Sequence, residues 1–285
     1  MLTILFDGVA YGMVLFVLAC GLSVTLGLMN FVNLAHGVFA MVGGYVTVLL
    51  MNDYGVPFLA TLPLAFIVAA ALGAVLERTL YVHLYDRSPL DQVLFTIGLV
   101  FMAVAAADYV IGSQQQLIYL PPMLSGRLHL GALDIGVYRL FLIVVCAVLV
   151  AILHYIVTRT RFGSRLRAAV DDPRVARGLG INVNAIFALT FAMGSGLAGL
   201  GGALGADILG IDPTFPLKYM IYFLIVVTVG GTSGMMGPFV AAILLGVADV
   251  AGKYYVPELG AFMIYGVMIA VLILRPQGLF ARGNA

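Results

Sequence analysis

Charge is what this sequence has least of. Asp, Glu, Lys and Arg make up 9% of its 285 residues, against about 25% in an ordinary soluble domain, so the chain cannot cover a water-facing surface. With 63% hydrophobic residues and a mean hydropathy of +1.12, it must use lipid as solvent. Cysteine is nearly absent: Cys20 and Cys146 each sit inside an apolar run, which suits small buried thiols and implies no disulfide framework. Lysine occurs only as Lys218 and Lys253. No G-x-x-x-x-G-K-[ST] loop is present, so ATP is not bound through that motif. Neither H-E-x-x-H nor G-x-S-x-G occurs, and no pair of mid-span carboxylates is evident, which argues against an intramembrane enzyme. An ion-coupled secondary transporter needs ionisable residues at mid-membrane, and His36 and His154 are almost the only ones on offer. The net charge of +1 gives no reason to expect nucleic acid. The first apolar run lacks a basic leader and continues as a span, so no cleaved signal peptide is expected.

What is present is a succession of apolar runs, and a span needs roughly 20 such residues to cross about 30 Å of hydrocarbon. The run over 8–51 is twice that length and is interrupted by Gly27, Asn30, Asn33 and His36. It predicts two helices, or a deep hairpin, broken near 30–36. A turn at 52–57 follows, then spans at 58–76 and 92–111 with the charged stretch 77–91 between them. Residues 112–137, with three consecutive Gln, Pro121-Pro122 and several Gly, read as an external loop with little regular structure. A fifth span covers 138–158. The sixth, 184–206, is dense in Gly194, Gly196, Gly199, Gly201, Gly202 and Gly205, and small residues let membrane helices approach closely. After a short loop at 207–217, residues 218–251 would span about 51 Å as one helix. Gly230, Gly231, Gly234, Gly237 and Pro238 break that run into two short helices or a re-entrant hairpin. A last span at 260–274 ends at Arg275-Pro276. The expected fold is an all-α polytopic integral membrane protein, one transmembrane domain over 1–285, with about 8–10 transmembrane helices, some broken or re-entrant.

The longest polar stretch, residues 159–182, carries Arg159, Arg161, Arg165, Arg167, Arg174 and Arg177. Placing it inside, by the excess of basic residues in short cytoplasmic loops, also puts Arg78, Arg87, Arg275 and Arg282 inside. Arg127, Arg139, Lys218 and Lys253 remain outside. The N-terminus is then external and the C-terminus cytoplasmic. Within the stretch, Asp172 reads as the N-cap of a second short helix, with Pro173 at its first position, where a missing N–H costs nothing. Gly178 or Gly180 can supply a left-handed stop. Two short helices displaying Arg165, Arg167, Asp171, Arg174 and Arg177 form a knob that can enter a groove on a soluble partner. The other reading is that these arginines only obey topology and bind lipid headgroups.

Asn30, Asn33 and His36 recur every three residues and on one helix would fall within about a third of its circumference. With Thr96 and the break containing Gly230, Gly231 and Gly234, they are candidates to line a translocation path. The alternative is that Asn and His pair with neighbouring helices and fix packing. A metal at His36 lacks a second His or Cys at ligand spacing. Asp108, Asp207 and Asp249 lie near outer span ends and are expected to reach headgroup water, a proton relay being the alternative.

Asn33-Leu34-Ala35-His36-Gly37, Glu77-Arg78, Thr96-Ile97-Gly98, the segment from Arg167-Ala168-Ala169-Val170-Asp171-Asp172 through Gly178-Leu179-Gly180-Ile181-Asn182, Gly230-Gly231-Thr232-Ser233-Gly234 and Arg275-Pro276-Gln277-Gly278-Leu279 occur in that order. Together they resemble LivH-type permeases, the membrane subunits of branched-chain amino acid ABC importers, over nearly the whole chain. The resemblance implies a bacterial inner membrane, a second permease of the LivM type, two cytoplasmic ATPases that carry ATP and Mg, and a periplasmic solute-binding protein. No cofactor is expected on this chain. It also implies that 159–183 is a coupling loop seated on an ATPase, with Arg165, Arg167, Ala168, Asp171, Asp172, Pro173, Arg174, Arg177 and Gly180 at the contact. Two departures bear on substrate. Val38 stands where relatives often carry Glu, and Thr79-Leu80-Tyr81-Val82-His83-Leu84 lacks their usual Arg-Pro. Related permeases are associated with urea, short amides and aromatic acids.

Overall fold

Inside lipid a single segment can satisfy its own backbone only as a helix, and the apolar runs obey that constraint. The computed structural model describes residues 1–29, 31, 33–85, 87–130, 133–231 and 234–280. Among them the helices are α1 (Leu2–Met29), α2 (His36–Asn52), α3 (Phe58–Thr79), α4 (Pro89–Ile111), α5 (Val137–Arg159), α6 (Arg161–Asp171), α7 (Pro173–Gly178), α8 (Val183–Leu209), α9 (Phe215–Gly230), α10 (Met236–Tyr255) and α11 (Met263–Leu274). Six of these, α1, α3, α4, α5, α8 and α10, are long and apolar enough to cross a membrane. The helices α2, α9 and α11 are shorter and equally apolar. The chain is an all-α, multi-pass membrane protein.

Local signals start the helices where the sequence places them. Ser88 accepts the Asp91 amide at the head of α4, with Pro89 at its first position. Asn182 accepts the Ala185 amide and opens α8. The central element is α8, which packs against α1, α2 and α3. Its glycines make that possible: a Cβ on Gly202 would lie 1.9 Å from the Ala40 carbonyl oxygen, and one on Gly194 would lie 3.1 Å from Gly21 Cα. Gly43, on α2, would place a Cβ 2.1 Å from the Gly199 carbonyl oxygen. Between lipid-soluble helices no hydrophobic drive exists, so close backbone contact supplies the association. The crossing of α1 and α10 works likewise, through Gly8 against Val247 and Gly12 against Ala242 and Ile243. Ile67, Val75, Phe101, Met102, Val144, Val148 and Ile273, on α3, α4, α5 and α11, are exposed apolar side chains.

Both over-long runs resolve into two helices apiece. The α1–α2 break is folded back on itself, since the Phe31 amide donates to Thr25. His36 then lies beside Leu18, well short of the end of α1. The α9–α10 break is also set back: Phe239, near the start of α10, meets Phe16 of α1 edge-on at 5.3 Å, roughly 20 Å of helix before α1 ends. Residues 112–137 have little regular structure, as expected; what there is comes from two short strands, β1 (Arg127–Leu130) and β2 (Leu133–Gly136), which pair antiparallel with Arg127 opposite Gly136. Apolar and polar residues alternate there with the period of a strand, a pattern masked by the surrounding Gly and Pro.

Candidate coupling surface and translocation path

The polar stretch forms two helices meeting at Asp172, whose Oδ1 accepts the Arg174 and Val175 amides at 2.8 and 3.0 Å. At the other end of α7 the chain turns at Gly180, with φ +80°, a conformation that favours glycine. Leu166, Ala169 and Ala176 are buried against Val183 and Ile186 of α8, so the pair is bolted to the foot of that span. The faces turned outward carry Arg165, Asp171, Asp172, Arg174, Arg177 and Gly180, all exposed, while Ala168 and Pro173 are half-buried. Arg167 is exposed, but its guanidinium donates to the Val157 carbonyl at the end of α5, tying the knob to its other flanking span. Val175 and Leu179 are 58% and 75% exposed, apolar side chains on a solvent-facing helix that sequence reasoning did not single out.

The candidate path residues divide. Asn30 lies outside the described residues. Asn33 and His36 do not share a helix face, because Asn33 belongs to the bend and His36 is the first residue of α2. The regular three-residue spacing is cut by the reversal of the chain. They are nonetheless both buried. His36 Nε2 is 2.9 Å from the Leu18 carbonyl oxygen, which can only accept, so Nε2 carries the proton. Asn33 Oδ1 accepts from the Tyr81 hydroxyl at 3.3 Å, while its Nδ2 has no partner among the described residues. Thr96 donates to the Gln92 carbonyl at 2.8 Å and accepts the Leu34 amide at 3.3 Å. It thereby pins the bend to α4. Gly230 and Gly237 sit against each other so tightly that a Cβ on Gly237 would lie 2.1 Å from the Gly230 carbonyl oxygen. Gly231, with φ +86°, turns the chain out of α9, and Gly234 lies beyond it. Of these three candidates only Gly230 closes the contact with Gly237, and an added Cβ on Gly234 would meet nothing within 4 Å.

Around Asn33 the structure adds residues that spacing did not reveal. Tyr81 is fully buried, its ring 4.7 Å from that of Phe191. The Tyr85 hydroxyl donates to buried Glu77 at 3.0 Å, and burial, then the Glu77 carboxylate, pushes that hydroxyl well above its ordinary pKa. Beside this cluster, α2, α3 and α4 enclose an open groove of about 510 Å³ with an almost wholly apolar lining that includes Val38, Tyr45, Tyr81 and Leu99.

Against known proteins, the family described as branched-chain amino acid transport system / permease component matches residues 4–272. The chain belongs to that family. The permease is 27% identical to the high-affinity branched-chain amino acid transport system permease protein BraD of Pseudomonas aeruginosa, over 98% of this chain and 95% of the relative. It is 25% identical to LivH of Escherichia coli K12, over 98% and 94%. LivM of the same organism is 26% identical over 94% of this chain and 68% of its own length. No solved structure matches the permease.

Expectations for the permease's span-end aspartates need correction. Asp108 and Asp207 are exposed as anticipated, but Asp249 is 1% exposed and holds Lys253 at 2.6 Å. The helix continues to Tyr255, more than a turn past it, so the carboxylate meets a neighbouring side chain and not headgroup water. Asp212, in the loop before α9, is bound by Lys218 and by the Thr214 amide and hydroxyl. Burial would raise its pKa, and those partners together hold it below the ordinary carboxylate value.

Proposed function

We propose that this permease is one membrane half of an ATP-driven importer for a branched-chain amino acid or a similar small amphipathic solute. It works by alternating access in a bacterial inner membrane, N-terminus outside and C-terminus inside. The reading rests on the α6–α7 platform, which is continuous in sequence with α5 and α8 and packed under α8 through Leu166, Ala169 and Ala176. A push on that platform reaches two spans at once. Its partners are then a second permease of the LivM kind, two ATPases holding ATP and Mg, and a solute-binding protein that docks on the outer loops. Arg165, Arg167, Asp171, Arg174 and Arg177 supply the charged contacts to an ATPase, and Val175 and Leu179 an apolar centre. Asn33, His36 and Thr96 stand at the chain reversal beside the path between the two permeases. An aliphatic substrate is favoured over urea or a short amide by the apolar groove that Val38 lines.

Gentle purification of the tagged chain from its native membrane tests the assembly. Recovery of ATPase subunits and a second permease is expected, and a clean single-chain oligomer would turn the reading toward a secondary carrier. Substituting Arg165, Arg167 and Asp171 together by Ala is expected to lower ATP-driven uptake while membrane insertion stays normal. Unchanged uptake would remove the platform from the mechanism.

A further inference from the structure

Two adjoining cavities on the outer side belong neither to the platform nor to the chain reversal. One, of about 530 Å³, lies under the β-hairpin and is lined by Asp7, Arg127, Arg139 and Asp207 among others. The other, of about 230 Å³, is lined by Asp7, Tyr11, Arg139, Tyr219, Asp249 and Lys253. They share Asp7, Arg139 and Ile208 and form one vestibule. Asp7 and Asp249 flank the tight crossing of α1 and α10, where Gly8 meets Val247.

Each of these two carboxylates is half used. Asp7 Oδ2 pairs with Arg139, and Asp249 Oδ2 pairs with Lys253 at 2.6 Å. Asp7 Oδ1 and Asp249 Oδ1 are covered and have no donor among the described residues. A buried acceptor without a donor carries its full desolvation cost. The cations beside them keep capacity in reserve, since Arg139 and Lys253 side chains are 43% and 53% exposed and an ammonium has three donors. Across both cavities the acids Asp7, Asp207 and Asp249 are matched by Arg127, Arg139 and Lys253. A balanced field of this kind disfavours a lone ion and suits a neutral, dipolar guest.

We propose that this vestibule binds a primary ammonium with an adjacent anionic group, the ammonium donating to Asp249 and Asp7 and the anion meeting Lys253 and Arg139. A free α-amino acid supplies that chemistry, and so does a phosphatidylethanolamine headgroup. For the amino acid, the site is an outer resting place on the way in, and to that extent it rests on the importer reading above.

The test uses the full chain in nanodiscs of phosphatidylcholine and phosphatidylglycerol, with tritiated L-leucine as probe. Binding is expected to be competed by unlabelled leucine and not by N-acetyl-L-leucine or L-leucine methyl ester, each of which lacks one charge. Asp249→Asn should weaken it by at least about tenfold, the loss of a charged hydrogen bond, with an unchanged gel-filtration profile. If leucine fails to bind but phosphatidylethanolamine raises the melting temperature of the wild type and not of Asp249→Asn, the site stands with the headgroup as its guest. The absence of both effects, or equal competition by the two blocked analogues, overturns it. Should Asp249→Asn fail to fold, the analogue competition on wild-type protein decides alone. The importer reading fails separately, on absent ATPase partners and absent ATP-driven uptake.

Discussion

The two breaks in the over-long apolar runs look alike in sequence and are held by different means. Between α1 and α2 the backbone bond from the Phe31 amide to Thr25 is supplemented by side chains: Thr96 holds the Leu34 amide, Tyr81 holds Asn33, and His36 reaches Leu18. Between α9 and α10 the chain reverses on backbone, through the Gly230–Gly237 contact and a C-terminal strap in which the Leu279 amide donates to Val229 at 2.8 Å. A break fixed by polar side chains retains groups that can be re-paired, such as Asn33 Nδ2. Among the described residues, the break fixed by glycine contact shows no such reserve and forms a rigid corner. We propose that the first is where a path opens and that the second is what the opening works against.

The largest effect should come from breaking the rigid corner. Gly237→Val puts a branched side chain where even a Cβ would lie 2.1 Å from the Gly230 carbonyl oxygen, and overpacking of this kind costs about 1–3 kcal/mol or more. Little monodisperse protein should survive detergent extraction. Gly98→Ala and Gly266→Ala, where nothing lies within 4 Å of the added carbon, should extract and melt like wild type. Normal yield for Gly237→Val would show that the corner yields and dissolve the contrast.

The side-chain break should respond in a graded way. Thr96→Val leaves the Leu34 amide without its acceptor and is expected to cost about 1 kcal/mol, read as a lower melting temperature. Asn33→Leu combined with Tyr81→Phe removes both partners of one hydrogen bond, a change that can be nearly neutral for stability. Uptake by that double variant is the informative readout. A fall in transport at unchanged melting temperature places Asn33 in the path, and wild-type uptake makes it a packing residue only.

Much of this architecture was legible because it follows from composition. Apolar run lengths gave the spans, the Asp172-Pro173 pair gave the division of the platform into two helices, and the glycines of α8 marked a helix that packs closely. What escaped depends on three-dimensional encounter. That Asn33 and His36 lie on either side of a reversal cannot be read from a spacing of three, because the same spacing continues through an intact helix. Tyr81 carried no signal beyond an aromatic in an apolar context, and its role comes from Asn33 and Phe191 arriving from distant segments. Asp249 looked like a span-end carboxylate, and only the packing of α10 on α1 shows it buried.

More local than the effect at either break is that at the cap of the platform. Asp172→Ala withdraws the acceptor of the Arg174 and Val175 amides, worth about 1 kcal/mol. The loss should be local, appearing as faster hydrogen exchange in α7 with little change in the melting temperature of the spans. If exchange speeds up equally in α8, the platform and that span form one cooperative unit, which would strengthen its case as a lever.

The smallest effect concerns the entry to α9, the opposite end of the helix that finishes at the rigid corner. Asp212 is held below the ordinary carboxylate pKa by Lys218 and Thr214 against the opposing pull of burial. A depressed folded pKa stabilises the native state above the unfolded value of about 3.9 and loses that contribution as pH falls through the folded one. Between pH 7 and 5 the melting temperature should therefore be insensitive to this group, with a decline setting in below about pH 4. Asp212→Asn should remove part of that acid decline while lowering stability at neutral pH. An acid decline that is unchanged in the variant would assign it to other carboxylates and leave the α9 entry held by Phe215 and its neighbours alone.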